Sequence, residues 1–585
     1  MTPARFVACI GAVAPPGFTD EVTRAARDLG LDLVFQAERL MVWTDPAAAI
    51  PIRGRRGVVV GSIFERKDGA YPKAKAVTIA TAAGDDLFGA YWGGYAAFLI
   101  DPSDHGVRVL RDPSGSVGCC FSRKAGVDVV FSDAAAAHDL GLIAKAPNPF
   151  AVAHHLTFGG LMTERTGLDG VLEVLPGTSV RLDGVRPPTR RCSWTPWTFA
   201  AKDAQIADRH EAIERVRRET QVCVAAWASQ YGSVLHELSG GLDSSIVAAC
   251  VAEQDCALAC VNAVTPDPGA DERVYARQVA DRIRAPLFTV MLDFADSDPK
   301  GLAEPLSARP GSGMLHQVLD RALTRQGQRT GADVFFSGGG GDNIFCYLTS
   351  AAPAADALRQ HGLGSVFLQG VRDLAALHRC TVWRAGRLAV RKAWQPPKSW
   401  PRTPDFLAKS ATPLAPDPHP WLAAPGGAPP GKQEHIHALM ATHHPLAVQA
   451  RHGRTPVCHP LLSQPLIELC LRVPSWMWIA GGRDRAIARE AFKDRLPLSV
   501  LQRRTKGDFT GFLGALYAGH RTEFAGLLLD GWLAANHLID RPAVEAYLKS
   551  VSPVTDNRFA RLMDLANAEL WARSWLARSP ARRRT

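Results

Sequence analysis

No apolar run in the chain approaches the roughly 18 residues that a membrane-spanning helix requires. The twelve cysteines contain no Cys-x-x-Cys pair, so neither a zinc ribbon nor a disulfide framework is indicated. Reduced thiols in a cytoplasmic protein are expected instead. The stretch Phe6–Ala14 could pass for the core of a signal peptide, but only Arg5 stands before it as a basic flank, and it reads as a first strand. The chain also lacks the G-x-x-x-x-G-K-[ST] string of phosphate loops in kinases and ATPases. There is no acidic excess: 67 Lys and Arg against 57 Asp and Glu leave +10, which favours anionic partners. Spread over 585 residues, that charge is weak evidence for nucleic acid, and no nucleic-acid partner is expected. Part of the excess is local. Seven Lys or Arg and no acid lie between Asp373 and Asp405, and five Arg and no acid follow Glu569.

What remains is an ordinary globular composition, 46% hydrophobic and 21% charged, long enough for at least two cores. The texture changes near residue 205. Before it, short strands alternate with Gly, Asp and Pro turns: Val58–Ile63, Ala76–Ala80, Gly94–Ile100, Val107–Arg111, Val127–Phe131 and a strand after Leu175-Pro176-Gly177. Trp194 and Trp197 mark the exit from that region. After it, helical periods alternate with short apolar runs, the pattern of a parallel α/β sheet. The spacing predicts helices over Ile206–Tyr231 and Ser244–Glu253, and one capped by Asp271 and ending at Arg284. Strands are predicted at Ser233–Leu238, Leu258–Val264, Leu287–Leu292 and Asp333–Phe336. Residues 395–432 read as a long loop or flap, and 433–578 as mostly helical. Two domains are expected, 1–204 and 205–585.

The densest chemical signal is Ser239-Gly240-Gly241-Leu242-Asp243-Ser244-Ser245, between a strand and a helix. Two glycines let the backbone bend and approach a ligand, and the helix start favours an anion. Asp243 fits beside phosphate only with a divalent cation between them. A second string, Ser337-Gly338-Gly339-Gly340-Gly341-Asp342-Asn343, follows another apolar strand. Four consecutive glycines are costly in a mere connector and reasonable where backbone lies against a ligand. Asp342 supplies a second carboxylate for a metal. A third string, Arg503-Arg504-Thr505-Lys506-Gly507, offers a lysine to neutralise developing negative charge.

The first string resembles the pyrophosphate-binding loop of ATP pyrophosphatases. The order of the three, together with Tyr91-Trp92-Gly93-Gly94, Arg111-Asp112-Pro113-Ser114-Gly115 and Leu175-Pro176-Gly177, is similar to the asparagine synthetase B family. That resemblance implies a glutaminase-like sandwich followed by an ATP-pyrophosphatase synthetase domain with a helical C-terminal part. It also implies that ATP and Mg2+ are used. Leu238, Ser239, Gly240, Gly241, Asp243, Ser244, Ser245, Val264, Ser337 and Gly338 would then line ATP, Asp243 and Asp342 would hold Mg2+, and Lys506 would be catalytic. Two departures qualify it. Family glutaminases use a cysteine as second encoded residue; here Thr2 stands there and Cys9 lies within a predicted strand, so an inactive glutaminase-like domain is expected. The third position of the second string, a glutamate in asparagine synthetases and a tyrosine in β-lactam synthetases, is Gly339, which would leave room for a larger substrate. With Asp342-Asn343, His459-Pro460-Leu461-Leu462-Ser463-Gln464-Pro465 and Gly481-Gly482-Arg483-Asp484-Arg485-Ala486, the chain looks most like lasso-peptide cyclases. That likeness implies a precursor peptide as substrate, with a leader-peptide-binding protein and a leader protease as partners. An ammonia-using asparagine synthetase, a β-lactam-synthetase-like enzyme and a non-catalytic peptide-binding chaperone remain open.

Two weaker features complete the reading. His435, His437, His443, His444, His452 and His459 crowd one region without a His-Glu-x-x-His arrangement, and dispersed roles are expected of them. The basic segment Arg379–Arg402, with Trp383, Trp394 and Trp400, reads as an amphipathic solvated helix. Contact with peptide or an anionic membrane surface is the lesser expectation.

Overall fold

The computed structural model describes residues 4–11, 17–66, 75–81, 84–144, 146–267, 269, 271–293, 307–311, 314–396, 399–448, 455–504, 507, 510–550 and 558–578. Thr2, His452 and Lys506 lie outside them.

The N-terminal part is built from two antiparallel sheets of six strands each. In the first, Phe6–Ile10 lies between Val127–Phe131 and Leu40–Thr44; in the second, Tyr91–Ile100 lies between Gly57–Glu65 and Val107–Arg111. Side chains alternate across a strand. Phe6, Ala8 and Ile10 therefore point between the sheets onto Val58, Val60 and Phe98, while Val7 and Cys9 turn outward onto a layer that includes C-terminal helices. Both faces being covered, the strand is apolar throughout. This is why its sequence imitates a signal-peptide core. The expected strand Ala76–Ala80 forms no ladder; only Val77 bridges to Ile52.

The second part carries a five-stranded sheet in which every pairing is parallel, in the order Leu287–Met291, Ala257–Val264, Ser233–Glu237, Val334–Ser337, Val457–Cys458. The chain starts this sheet in the middle, builds to one side, then crosses to the other. The direction reverses between Ser233–Glu237 and Val334–Ser337, and a ligand site in such a sheet falls outside the carboxyl ends at that reversal. Helices Arg209–Ala228, Leu242–Val251 and Arg273–Ile283 follow the predicted periods. Asp271 does not cap the last of these. Glu272 occupies the cap position, and the Asp271 carboxylate accepts from the backbone N of Arg273 and pairs with its side chain. Residues 399–429 are largely irregular, with short turns at Lys409–Ala411 and Pro420–Leu422, but they are no free flap, since Trp400 and Trp421 are buried. From Pro430 onward the chain is mostly helical.

The parts share one core. Phe64, Trp92 and Trp227 stack edge to face or tilted between the second antiparallel sheet and helix Arg209–Ala228. Glu468 accepts from Trp194 Nε1 and Arg66, each at 2.9 Å, and the buried Glu173 is held between Arg111 and Arg309. Among the described residues no helix is long and apolar enough to cross a membrane. All twelve cysteines are free.

Several histidines are enclosed in this core as neutral rings. Burial lowers His236 and His444 to about 4, and His419 and His435 to about 3. In His419, Nδ1 accepts from Trp421 N at 3.0 Å, a bond that a second ring proton would break. These rings titrate near 6.5 once unfolded, so the unfolded chain binds more protons between pH 6.5 and 4. Stability is therefore fully present above pH 6.5 and falls as the solution is acidified towards 4. The effect amounts to on the order of 3 kcal/mol for each of His236 and His444. Melting temperatures recorded from pH 7.5 to 4.5 should fall steadily, and a flat profile would contradict this account.

Candidate active site

The first glycine string leaves the strand Ser233–Glu237 and enters helix Leu242–Val251 at Gly241. Gly240 sits at φ +73°, and a Cβ there would lie 2.5 Å from Ala276 N. Only glycine fits that turn against helix Arg273–Ile283. Ser239 Oγ accepts from Gly241 N at 3.2 Å and lies 3.1 Å from Ser244 Oγ, drawing the loop around the helix start. Ser245 Oγ donates back to Gly241 O at 2.7 Å and is fully enclosed, so this hydroxyl fastens the turn. Behind the loop, His236 Nε2 lies 2.8 Å from Ser244 O. Leu238 and Val264, at the carboxyl ends of adjacent strands, are both buried, and Leu238 N donates to Val261 O.

The glycines of the second string were expected to lie against a ligand, and their Cβ directions face something else. They lie against protein. A Cβ on Gly338 would stand 2.5 Å from Ser244 N, and one on Gly341 would stand 2.4 Å from Asp243 Cβ. The backbones of the two loops pack directly on each other. Gly340, at φ +83°, is closed off by Leu462, and a Cβ on Gly339 would meet His459 Nδ1 at 2.8 Å. The room expected at Gly339 for a larger substrate is therefore not there. The His459 ring, carried just after strand Val457–Cys458, fills it.

This packing sets Asp243 and Asp342 side by side, and one guanidinium touches both. Arg485 Nη1 lies 2.9 Å from Asp243 Oδ2 and also contacts Asp342 Oδ1, while its Nε lies 3.0 Å from Asp484 Oδ1. Its guanidinium stands over the Tyr347 ring at 5.3 Å. Burial works against the charge of Arg485, yet Asp243, Asp342 and Asp484 outweigh it and raise its pKa. Arg485 belongs to the string Gly481–Ala486 that carried the resemblance, but no site role was expected of it, and it stands 242 residues from Asp243. The two carboxylates form a hard oxygen set that a cation already bridges, so the residues present fit a divalent metal such as magnesium.

At the rim, Arg503 pairs with Glu272 at 2.7 Å and stacks over Tyr275 at 4.1 Å, and Gly507 N donates to the same Glu272 oxygen at 3.1 Å. The third string is thereby tied to the start of helix Arg273–Ile283. A cavity of about 240 Å3 runs along the junction of the two parts, from Arg5 and Ser62 past Tyr231 to His459.

The remaining histidines serve separate contacts. His435 Nε2 lies 3.1 Å from Ile344 O, His437 packs on Trp400, His443 on Trp421, and His444 on His155. In helix Val382–Ala393, Ala385, Ala389 and Ala393 are buried, whereas Trp383 and Trp394 are exposed. Trp400 is buried, so the three tryptophans do not share a face.

Two glycine loops at the reversal of an open parallel sheet, with paired carboxylates at their meeting point, define a nucleotide-using α/β enzyme. The family model for asparagine synthase matches residues 215–573, and the chain belongs to that family. Its members are ATP-dependent ligases that form amide bonds. No curated protein matches the chain.

The loop-on-loop contact predicts unequal tolerance of glycine replacement. Gly338→Ala should force the two backbones apart, cost about 1–3 kcal/mol and weaken ATP binding. Gly526→Ala, on an exposed helical position with nothing within 4 Å, should be neutral or stabilise by roughly 0.5–1 kcal/mol. Thermal melts and ATP titrations of the two variants would check this, and equal behaviour would contradict the packing argument.

Proposed function

We propose that this enzyme is an ATP- and magnesium-dependent lasso-peptide cyclase. In this reading an Asp or Glu side chain of a bound precursor peptide attacks the α-phosphate of ATP, giving an acyl adenylate and pyrophosphate. The peptide's N-terminal amine then attacks the acyl carbon. The new C–N bond closes an isopeptide ring as the bond to AMP breaks, and the amine's proton passes to solvent or a nearby base.

The observation that carries the first half is the meeting of Asp243 and Asp342 on one cation at the mouth of the two glycine loops. A polyphosphate seated on Ser239, Gly240, Gly241 and Ser244 would have its β and γ groups at the helix start, where N–H groups and the helix dipole favour anions. Leu238, Val264, Ser337 and Gly338 would border the nucleotide. Magnesium held by Asp243 and Asp342 would screen the repulsion between carboxylates and phosphates. Lys506 would stabilise charge on the departing pyrophosphate.

The second half draws on the N-terminal sheets. Cys9 is locked in a central strand with its thiol pushed up to about 12 by burial, and burial also raises Cys119, Cys120 and Cys192. None of them is poised as the thiolate that releases ammonia from glutamine. That favours an amine supplied by the substrate itself, and an N-terminal domain, residues 1–204, retained without amidase activity. A leader-peptide-binding protein and a leader protease would deliver the peptide. A second reading, asparagine synthesis from aspartate and ammonia, draws on the cavity that ends at His459 beside Gly339.

Turnover should release AMP and pyrophosphate, and ADP with orthophosphate would end the adenylation reading. Asp243→Ala and Asp342→Ala should each slow ATP–pyrophosphate exchange on the order of a thousandfold without unfolding the protein. Mass spectrometry then separates the two readings. Incubation of lasso-type precursor peptides with ATP and magnesium should yield loss of one water with the α-amine blocked. Linear peptides, together with conversion of aspartate and ammonia to asparagine, would replace the cyclase with the synthetase.

A further inference from the structure

The Gly481–Arg485 segment holds its arginine in an unusual way. Gly481 and Gly482 have φ of +58° and +66°, and Arg485 itself has φ +49°, left-handed backbone that a bulky residue rarely adopts. The segment is pinned on both sides. Gly481 N donates to Asp373 at 2.8 Å, and Asp484 is fixed by Arg489 at 3.0 Å, whose other nitrogen reaches Leu501 O at 2.9 Å. The outcome is a largely enclosed guanidinium seated between Asp243 and Asp342, with Asp484 and Tyr347 completing its surroundings.

We infer that Arg485 is a tethered counter-ion that occupies the carboxylate pair in the nucleotide-free enzyme and that the metal must displace, so that metal and nucleotide enter together. The inference rests on assigning Asp243 and Asp342 to magnesium. A divalent cation arriving alone would have to take the guanidinium off both Asp243 and Asp342 and leave it with Asp484 alone, in a site that is only 12% open at that side chain. Arriving with a polyphosphate, the same cation brings negative charge on which the displaced guanidinium can settle. Metal and nucleotide then bind with positive coupling, and Arg485 adds to it by excluding metal that arrives alone. Without this residue the two carboxylates would lose the guanidinium that bridges them and would take a divalent ion more readily. The arrangement would keep the carboxylates aligned while the site is empty and discourage occupation by metal alone.

The test uses the full-length protein with Mn2+ as metal and a non-hydrolysable α,β-methylene analogue of ATP, read by the electron paramagnetic resonance signal of free Mn2+. The wild-type protein should bind Mn2+ at least about tenfold more tightly with the analogue than without it. Arg485→Ala should bind Mn2+ without nucleotide at least about tenfold more tightly than wild type, and adding Asp342→Asn should remove that gain. Mn2+ alone should raise the melting temperature of Arg485→Ala but not of wild type. Arg485→Lys, which keeps the charge and loses the fork, should fall between them and serves if the alanine variant folds poorly. Equal Mn2+ affinity of wild type with and without the analogue would overturn the inference while leaving the metal assignment standing. So would an Arg485→Ala variant no tighter than wild type. Absence of Mn2+ binding even with the analogue would overturn the metal assignment and this inference with it.

Discussion

The direct contact of one backbone loop on another organises this molecule. Gly338 and Gly341 lie against residues 243–244 so closely that a single methyl group on either would fall within 2.5 Å of the opposite loop. Such an approach needs residues without Cβ on one side and a helix start on the other. The parallel sheet supplies both, because adjacent strands at its reversal point deliver their loops to the same edge. Every other element of the site follows from that contact. It brings Asp243 and Asp342, 99 positions apart in the chain, onto one guanidinium.

The supporting structure fixes the edges of this contact. Behind it, a buried neutral His236 holds the carbonyl of Ser244. Beneath it, Leu462 and His459 close the second loop from the last strand of the sheet, whose position is set by pairing with Val334–Ser337. Above it, Glu272 gathers Arg503 and Gly507 and anchors the third string to the rim. The N-terminal sheets contribute from a distance. Trp227 and the Arg111–Glu173–Arg309 cluster join them to the synthetase part, and their cavity reaches His459. A buried carboxylate between two arginines is sound only while both partners stay, so the junction resists separation.

Much of this was legible in the sequence for local reasons. The strands Ser233–Glu237 and Ala257–Val264 are short apolar runs between turn signals, and their bounds fall within a residue of expectation. The glycine strings were visible because glycine is costly where nothing demands it. What the sequence hid is long-range. The ring filling the space at Gly339 comes from His459, 120 positions onward, and nothing in Cys458-His459-Pro460 announces that neighbour. Arg485 stood in the string Gly481–Ala486 without a site role, since its partners are assembled only by folding. Ala76–Ala80 has strand-like composition but lacks a paired edge, so only Val77 bridges. At Asp271 the capping residue type was right, yet its carboxylate is spent on the neighbouring Arg273 and the helix starts a residue later than expected.

The central claim is that the loop pair is a metal–nucleotide site whose own arginine stands in for the metal. The most direct measurement is a crystal structure of the protein with Mn2+ and α,β-methylene ATP, with the metal located by its anomalous scattering. The account predicts a Mn2+ peak shared by Asp243 and Asp342, the polyphosphate against Ser239–Ser244, and Arg485 moved off the carboxylates. Nucleotide bound elsewhere, with Arg485 still bridging Asp243 and Asp342 and no metal between them, would contradict it.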